Sequence, residues 1–271
     1  MKLNRKALCA CVALVMAAAA PGAGADHSWG DYHWARTTSS FDLTVINSTT
    51  PDWDPYVGDA VGDWSSSQVV NLIEDPNGDT ASKTRRQCRG GAGTVRICNL
   101  AYGNTGWLGV AGISIDNQGH ITTGYTKLND TYYSPGSYYD NDDWRQSVTC
   151  QELGHNLGLD HQDEDFNNTS LKTCMDYQDP PWPATNQHDF EQLQIIYGHV
   201  DSYDSYASGD GGGGGGGGCN APPGKGCNKS GFAGEVGWGA SLGRRGNAET
   251  FIRIDPDGTM HLTHVTWAIG F

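Results

Sequence analysis

The residues with the clearest chemical potential lie between Cys150 and His161, in the sequence Cys-Gln-Glu-Leu-Gly-His-Asn-Leu-Gly-Leu-Asp-His. On a helix, Gln151 and His155 are one turn apart and project from the same face. The glycine that follows can turn the chain sharply and bring His161 back towards that face. Glu152 lies beside this group, where a carboxylate can take a proton from water. Two imidazoles and a third neutral donor around an open position are the plan of a hydrolytic zinc site.

This segment resembles the signature of the metzincin family of zinc peptidases, His-Glu-x-x-His-x-x-Gly-x-x-His followed by a methionine-containing turn. The matching positions are Glu152, His155, Gly158 and His161. Gln151 stands where the family has its first histidine. The stretch Cys-Met-Asp-Tyr that ends at Tyr177 resembles the Met-turn, in the Met-x-Tyr form of astacins and serralysins. The segments 109–129 and 187–193 look more like the matrixin branch.

The resemblance implies a role for each of these side chains. His155 and His161 would bind zinc, and Glu152 would act as general base and acid. Met175 would form the floor beneath the metal, and Tyr177 would steady the negative charge that develops on the substrate. Each residue taken alone also has an ordinary explanation, as a core side chain or a solvated helix residue. Their joint spacing is what favours the catalytic interpretation.

Gln151 departs from the family pattern, and three alternatives follow. Its amide oxygen can reach a metal, although an amide is a poorer zinc ligand than an imidazole. A second possibility is that His188 or a nearby aspartate supplies the third bond. In the third, the site is inactive and the fold serves for binding alone. The presence of Glu152 favours the first two, because a general base has no role without chemistry.

The sequence therefore predicts a secreted zinc-dependent endopeptidase that acts on a polypeptide substrate. The predicted metal ligands are Gln151, His155 and His161, and the predicted catalytic residues are Glu152 and Tyr177. An extended substrate would add as a strand to an exposed sheet edge, at 109–115 or its neighbour. The alternative function is a catalytically inactive protein of metzincin fold that binds peptides or a surface.

The other polar and aromatic clusters are interpreted as structural features without a catalytic role. Five histidines show no ligand spacing with any partner and are treated as ordinary: His27, His33, His120, His261 and His264. The acidic residues of 160–165 could bind Ca²⁺, but they lack the EF-hand pattern, so a solvated loop is favoured. The aromatic residues of 132–144 could line a cleft, with packing over the helix start as the equal alternative.

Charge and the first residues define the expected location. The 271-residue chain has 17 Lys and Arg against 31 Asp and Glu, a formal charge of −14, which disfavours nucleic acids and anionic membranes as partners. Residues 1–25 resemble a signal peptide, with Lys2, Arg5 and Lys6, an apolar run over 7–20 and small residues at its end. The run is short for a membrane span, so an uncleaved anchor is the weaker alternative. We expect a secreted monomer.

The cysteines predict disulfides, since an exported chain with an even number of cysteines forms them. Proximity in the sequence suggests the pairs Cys88–Cys98, Cys150–Cys174 and Cys219–Cys227. A zinc cluster of cysteines is disfavoured because the sequence lacks any Cys-x-x-Cys spacing. The bridge between Cys150 and Cys174 would tie the catalytic helix to the Met-turn.

The run of glycines at 211–218 is the sharpest boundary along the chain. We predict a signal peptide at 1–25, a metzincin-like domain at 26–200, a flexible linker at 201–218 and a small β-rich module at 219–271. Predicted strands are 41–47, 94–100, 109–115 and 120–128, and predicted helices are 65–74, 142–157 and 189–197. A hairpin is expected around the turn at 255–258. The order of elements indicates an α+β fold, and the resemblance implies a twisted mixed sheet.

Overall fold

The computed structural model describes residues 27–206 and 237–271. The predicted signal peptide, the glycine run and the cysteines at 219 and 227 lie outside these ranges, and the predictions for them stay predictions. Among the described residues, no helix has the length and hydropathy that crossing a membrane requires.

The described chain combines four helices with nine strands. The strands are β1 (His33–Trp34), β2 (Phe41–Asn47), β3 (Val70–Asp75), β4 (Thr94–Leu100), β5 (Trp107–Ile115), β6 (His120–Asn129), β7 (Ala240–Arg245), β8 (Ala248–Ile254) and β9 (Met260–Trp267). The helices are α1 (Asp54–Ser65), α2 (Ser82–Gln87), α3 (Asp142–His155) and α4 (Gln187–Ile196). The strands predicted over 41–47, 94–100, 109–115 and 120–128 are confirmed.

The strands form one mixed sheet in the order β3-β2-β4-β6-β5-β9-β8-β7, with β1 paired to β6 beside that path. The neighbours from β3 to β6, and the β1–β6 pair, are parallel. From β6 to β7 every pair is antiparallel. The α+β class with a mixed sheet is therefore confirmed, and the assignment to the metzincin fold stays a prediction.

The helix predicted over 65–74 is wrong. Helix α1 ends at Ser65, and residues 70–75 form β3, which pairs in parallel with β2. A short apolar run rich in β-branched residues fits a strand as well as a helix, so its periodicity could not decide between them. The true helix carries the clearer signal, because Pro55 begins it and the buried residues Val57, Ala60, Val61 and Trp64 follow a helical period.

Two apolar clusters hold the sheet and its helices together. In the larger one, Trp64 of α1 packs with Leu153 of α3, and its indole N–H donates to the Cys150 carbonyl at 2.9 Å. The smaller cluster contains Tyr102, Trp107, Val110, Phe251, Val265 and Trp267. It joins β5 to the C-terminal strands, and each such buried side chain contributes roughly 1.5–3 kcal/mol. The C-terminal strands are therefore held by apolar contact as well as by strand pairing.

The C-terminal segment has the β-rich character and the hairpin that the sequence predicts. Strands β8 and β9 are antiparallel around the turn at 255–258. Strand β9 also pairs with β5 along its whole length. The expectation that 109–115 offers a free edge to substrate is therefore wrong for this arrangement, because the chain itself fills that edge. The proposed domain boundaries stay a prediction.

Both disulfides predicted within the described residues are present. Cys88–Cys98 joins the end of α2 to β4, and Cys150–Cys174 joins α3 to the segment that contains Met175. The second bridge anchors the helix that carries Gln151, Glu152 and His155. It limits how far that helix can move from the residues beneath it.

Candidate metal centre

Helix α3 positions the first group of candidate side chains. It begins after Asn141, whose side chain accepts a hydrogen bond from the Trp144 N–H at 3.0 Å and caps the helix. The predicted helix over 142–157 is confirmed, with its last residue at His155. Gly158 follows with a φ of +94°, where a side chain would be strained and a Cβ would lie 2.3 Å from the Tyr32 carbonyl oxygen. This turn brings His161 back towards the helix, as the sequence predicts.

Three histidines converge at the end of this helix. His155 and His161 are joined by His264 of β9, and all three are buried. One ring nitrogen from each lies within 4.8 Å of the others. The Nε2 atoms of His155 and His161 are 3.2 Å apart, and the ring centroids of His155 and His264 are 4.1 Å apart. The interpretation of His264 as an ordinary histidine is therefore wrong.

Hydrogen-bond partners at the Nδ1 atoms of His155 and His264 fix the direction of these two rings. His155 Nδ1 lies 2.9 Å from the Leu159 carbonyl oxygen, which can only accept, so this nitrogen carries the proton. The Nε2 of neutral His155 then presents a lone pair to the centre. His264 Nδ1 lies 3.2 Å from Thr250 Oγ1, while its buried Nε2 has no hydrogen-bond partner. Ring nitrogens that converge in a buried space in this way form a group that could hold a cation.

Burial keeps these imidazoles in the form that binds metals. It lowers the pKa of His155 to about 4 and holds the pKa of His161 and of His264 well below the ordinary value. For His161 and His264, the neighbouring imidazoles act in the same direction, because each disfavours a positive charge on the next. A metal binds neutral histidine, so no deprotonation is needed near neutral pH.

Gln151 lies at the same centre. It is buried, and its amide Nε2 is 2.6 Å from His161 Nε2. Turning the amide by half a rotation would present its oxygen instead, since the nitrogen and oxygen are assigned from the hydrogen-bond network. The alternative ligand His188 is placed elsewhere: it packs edge-on against His27, whose Nδ1 lies 2.6 Å from the His161 carbonyl oxygen. Thus the structure brings Gln151, His155 and His161 together and adds His264.

The Glu152 side chain is buried between its own helix, α3, and the sheet. It is 0 % exposed, and neither carboxylate oxygen has a hydrogen-bond partner of good geometry. Burial raises the pKa of Glu152 to about 8, although Thr266 and the Ala111 backbone N–H oppose the shift. The side chain fits only because Gly109 has no Cβ, which would lie 2.5 Å from Glu152 Oε1. A carboxyl with a pKa near the working pH suits proton transfer.

Tyr177 and Met175 flank the histidines from the segment after Cys174. The Tyr177 ring centroid is 4.4 Å from that of His161. Burial raises the pKa of the Tyr177 phenol well above its ordinary value, so the group stays protonated and can donate a hydrogen bond. Met175 is buried in the main core, and its carbonyl accepts from the Gln162 N–H at 2.6 Å. Tyr177 therefore lies against His161, while the contacts described for Met175 place it in the core; the roles predicted for both residues stay predictions.

The centre is covered from two directions. Strand β9 places His264 opposite Ala111 and Thr266 opposite Gly109 in the ladder with β5. On another side, the Trp29 ring stacks on His155 with centroids 5.0 Å apart and an interplanar angle of 4°. The centre is therefore enclosed by two segments far apart in the sequence, the N-terminal segment and β9.

The two remaining clusters, the aromatic residues of 132–144 and the acidic loop of 160–165, both make contacts near this centre. The aromatic residues of 132–144 pack at the start of α3, where Tyr139 and Trp144 lie 5.0 Å apart, so the packing interpretation is confirmed. Within the acidic loop, Glu164 is not simply solvated, because its Oε1 lies 3.4 Å from His161 Nδ1. Burial, together with the charge of Asp160, raises the pKa of Glu164 to about 7.

Comparison with known proteins gives no family for this chain. No protein-family model matches it, and a search of curated proteins returns no match. Any statement of function therefore depends on the residues and their geometry.

Proposed function

We propose that this protein is a secreted zinc-dependent endopeptidase of the metzincin type, and that the arrangement described above is its closed, resting form. The observation that carries the proposal is the convergence of three buried, neutral imidazoles beside the helix that bears Glu152. The buried His264 Nε2, which has no hydrogen-bond partner, is the mark of a position made for a cation.

The donor set fits zinc better than the harder cations. Imidazole nitrogens suit zinc and other late transition metals, whereas calcium and magnesium take oxygen ligands. His155 and His264 also have the outer hydrogen-bond partners that orient metal-binding histidines. A zinc ion would supply a Lewis acid that polarises a carbonyl group and makes water a nucleophile near neutral pH.

The protein's own residues would then carry the remaining steps. Glu152 would take a proton from the attacking water and pass it to the leaving amine. Tyr177, protonated and beside His161, would donate a hydrogen bond to the oxygen that gains negative charge. The protein contributes general acid–base catalysis, typically worth about 10²- to 10⁴-fold, on top of the effect of the metal.

His264 and Gln151 account for the difference between a closed and an open form. In the closed form, His155, His161, His264 and Gln151 would together hold the zinc ion and leave no position for substrate. If β9 separated from β5, His264 would leave with it, and His155, His161 and Gln151 would remain as ligands. The same movement frees the β5 edge, where an extended peptide can pair. One strand therefore controls both the ligand set and the substrate edge.

The paired β9 strand also favours a second candidate, a non-catalytic scaffold. In this version the four-ligand site never opens, and zinc simply stabilises a fold that binds peptides or a surface. Structural zinc sites are characteristically closed in this manner. Chelator-sensitive turnover separates the two candidates, because only the endopeptidase shows it.

The test is a casein digestion by the oxidised chain expressed from its full sequence, with and without chelator, with the zinc content measured on the same sample. We expect zinc to be retained and cleavage to be abolished by the chelator. His161→Ala should lose both zinc from this centre and cleavage. A folded, zinc-containing protein that cleaves nothing would overturn the endopeptidase proposal and leave the scaffold.

A further inference from the structure

We propose a second metal site, formed by His33, His120 and Asp201 with His199 at its rim, that binds a zinc-type divalent ion and fixes the N-terminal segment to the sheet. The site shares no residue with the centre around His155. Its evidence is separate, and it does not depend on peptidase activity.

The four side chains direct their ligand atoms at one another. His33 Nε2 lies 3.4 Å from Asp201 Oδ2, and His120 Nε2 lies 3.4 Å from Asp201 Oδ1. The ligand atoms of these three residues all lie within 4.8 Å of one another. His199 Nε2 completes the group at 3.4 Å from Asp201 Oδ1 and 3.2 Å from His33 Nε2. Three imidazoles therefore share a single carboxylate.

The outer hydrogen bonds show which ring nitrogen faces the carboxylate. His33 Nδ1 is 2.6 Å from the Asp31 carbonyl oxygen, so this nitrogen carries a proton. In neutral His33, the Nε2 lone pair then faces a carboxylate oxygen and another imidazole Nε2. Facing acceptors repel in a site that is shielded from water, where the His33 and Asp201 side chains are only 7 % and 8 % exposed. A proton or a metal ion must lie between them.

A metal ion satisfies this arrangement better than protons do. His33 and His120 already carry a proton on Nδ1. A proton on the Nε2 of each would therefore place two positive charges around one carboxylate, and like charges this close disfavour one another. One divalent ion replaces these protons and uses all four ligand atoms. Three nitrogens and one carboxylate oxygen form a ligand set that zinc accepts in tetrahedral geometry.

The groups that hydrogen-bond to these candidate ligands are also those of a metal site. His120 Nδ1 lies 2.7 Å from the Tyr203 hydroxyl, which in turn donates to the Asp116 carboxylate. Asp201 Oδ2 accepts from the Arg36 backbone N–H at 2.9 Å. Such partners hold ligating groups in one orientation and raise their affinity for the metal. The exposed His199 side chain, at 55 %, leaves a path for the ion to enter.

The position of the site in the fold gives it a structural role. His33 and His120 are register partners in the short parallel pair of β1 and β6, while His199 and Asp201 follow α4. An ion here would join three separate parts of the chain. It would also anchor the segment that carries Trp29, the residue stacked on His155. The site therefore secures one of the two covers over the first centre.

The test is a zinc titration of the oxidised protein in competition with a chromophoric chelator, together with thermal unfolding with and without zinc. We expect two bound equivalents in the native sequence and one in Asp201→Asn. His199→Gln, which changes an exposed side chain and should not disturb folding, should weaken the same equivalent. Tyr203→Phe should weaken it about 10- to 100-fold, the usual effect of removing an outer partner. Zinc should raise Tm less in Asp201→Asn than in the native protein.

His261→Gln is the matched control, because His261 also pairs with an aspartate, at 2.9 Å from Asp255, but has no second imidazole there. It should leave both equivalents in place. If the native protein binds one equivalent that His161→Ala removes and Asp201→Asn does not, the inference is overturned and the cluster holds protons only. If the single equivalent is instead lost in Asp201→Asn and kept in His161→Ala, this site stands and the zinc centre of the proposed function fails.

Discussion

The two histidine clusters use similar ligands in different surroundings. The centre around His155 is enclosed and lies next to Glu152, whose pKa is raised to about 8, and Tyr177, whose phenol stays protonated. In the cluster around His33, the carboxylate of Asp201 is itself one of the converging groups, and no other proton-transfer group is part of the set. Under the two proposals, both histidine clusters would bind a metal ion, and the neighbouring acidic groups would decide whether that ion serves catalysis or structural support. The predictions below test that distinction.

The largest effect is expected from Glu152→Gln. Removing the general base should lower the rate of casein cleavage by at least about a hundredfold, because general acid–base catalysis contributes about 10²- to 10⁴-fold. Zinc content should not change, since Glu152 is not a ligand. The readout is cleavage rate and zinc content on one sample, with the exposed Glu191→Gln as control. Undiminished cleavage in Glu152→Gln would remove the chemical difference between the two clusters.

The next effect concerns His264→Gln, which should change two properties in opposite directions. The closed form loses a ligand, so zinc affinity at the first centre should fall. Cleavage should rise, because each 1.4 kcal/mol lost from the closed form raises the open population about tenfold. The control is His261→Gln on the same strand. If cleavage falls together with zinc affinity, His264 is a catalytic ligand and β9 does not hold a resting form.

A third prediction concerns pH and the zinc-free protein. The pKa of Glu152 is raised to about 8 in the folded chain, so its favourable protonated form is lost as the pH rises through that value. The buried histidines act oppositely: their lowered pKa values cost stability only at acidic pH. Between about pH 6.5 and pH 8, well above the ordinary Glu pKa, Tm should therefore fall. Glu152→Gln should show little of this decline in a thermal unfolding series with chelator.

The smallest effect is expected from Asn141→Ala, which removes the cap of α3. It should lower the free energy of unfolding by about 1 kcal/mol, the usual value of an N-cap. Because α3 belongs to the first centre only, zinc binding at the cluster around His33 should keep its affinity. Urea unfolding and the competition titration together check this. An equal loss of affinity at both sites would show that they are coupled through the fold.

The sequence could predict those parts of the centre that are local. The i, i+4 spacing of Gln151 and His155, the turn at Gly158 and the return of His161 depend on neighbouring residues, and all are confirmed. His264 could not be found in this way, because it reaches the centre only through the pairing of β9 with β5. Nothing in the local sequence of β9 specifies which strand it joins.

The second cluster escaped prediction for the same physical reason. His33 and His120 meet through strand register, and Asp201 reaches them through the chain that follows α4. The wrong helix over 65–74 is a different kind of error, since there the local signal itself was ambiguous. Apart from 65–74, patterns within one turn or one strand predict the structure correctly, whereas contacts set by sheet order require the fold.

In the proposed endopeptidase, strand β9 would make zinc a regulator as well as a cofactor. By thermodynamic reciprocity, a ligand that binds one conformation more tightly also favours that conformation. In this proposal, the closed form would offer four donors to the ion and the open form three, so an occupied centre would hold the sheet shut more firmly than an empty one. A competing peptide would then have to displace both a strand and a metal bond. Latency would in that case depend on the free zinc concentration around the protein.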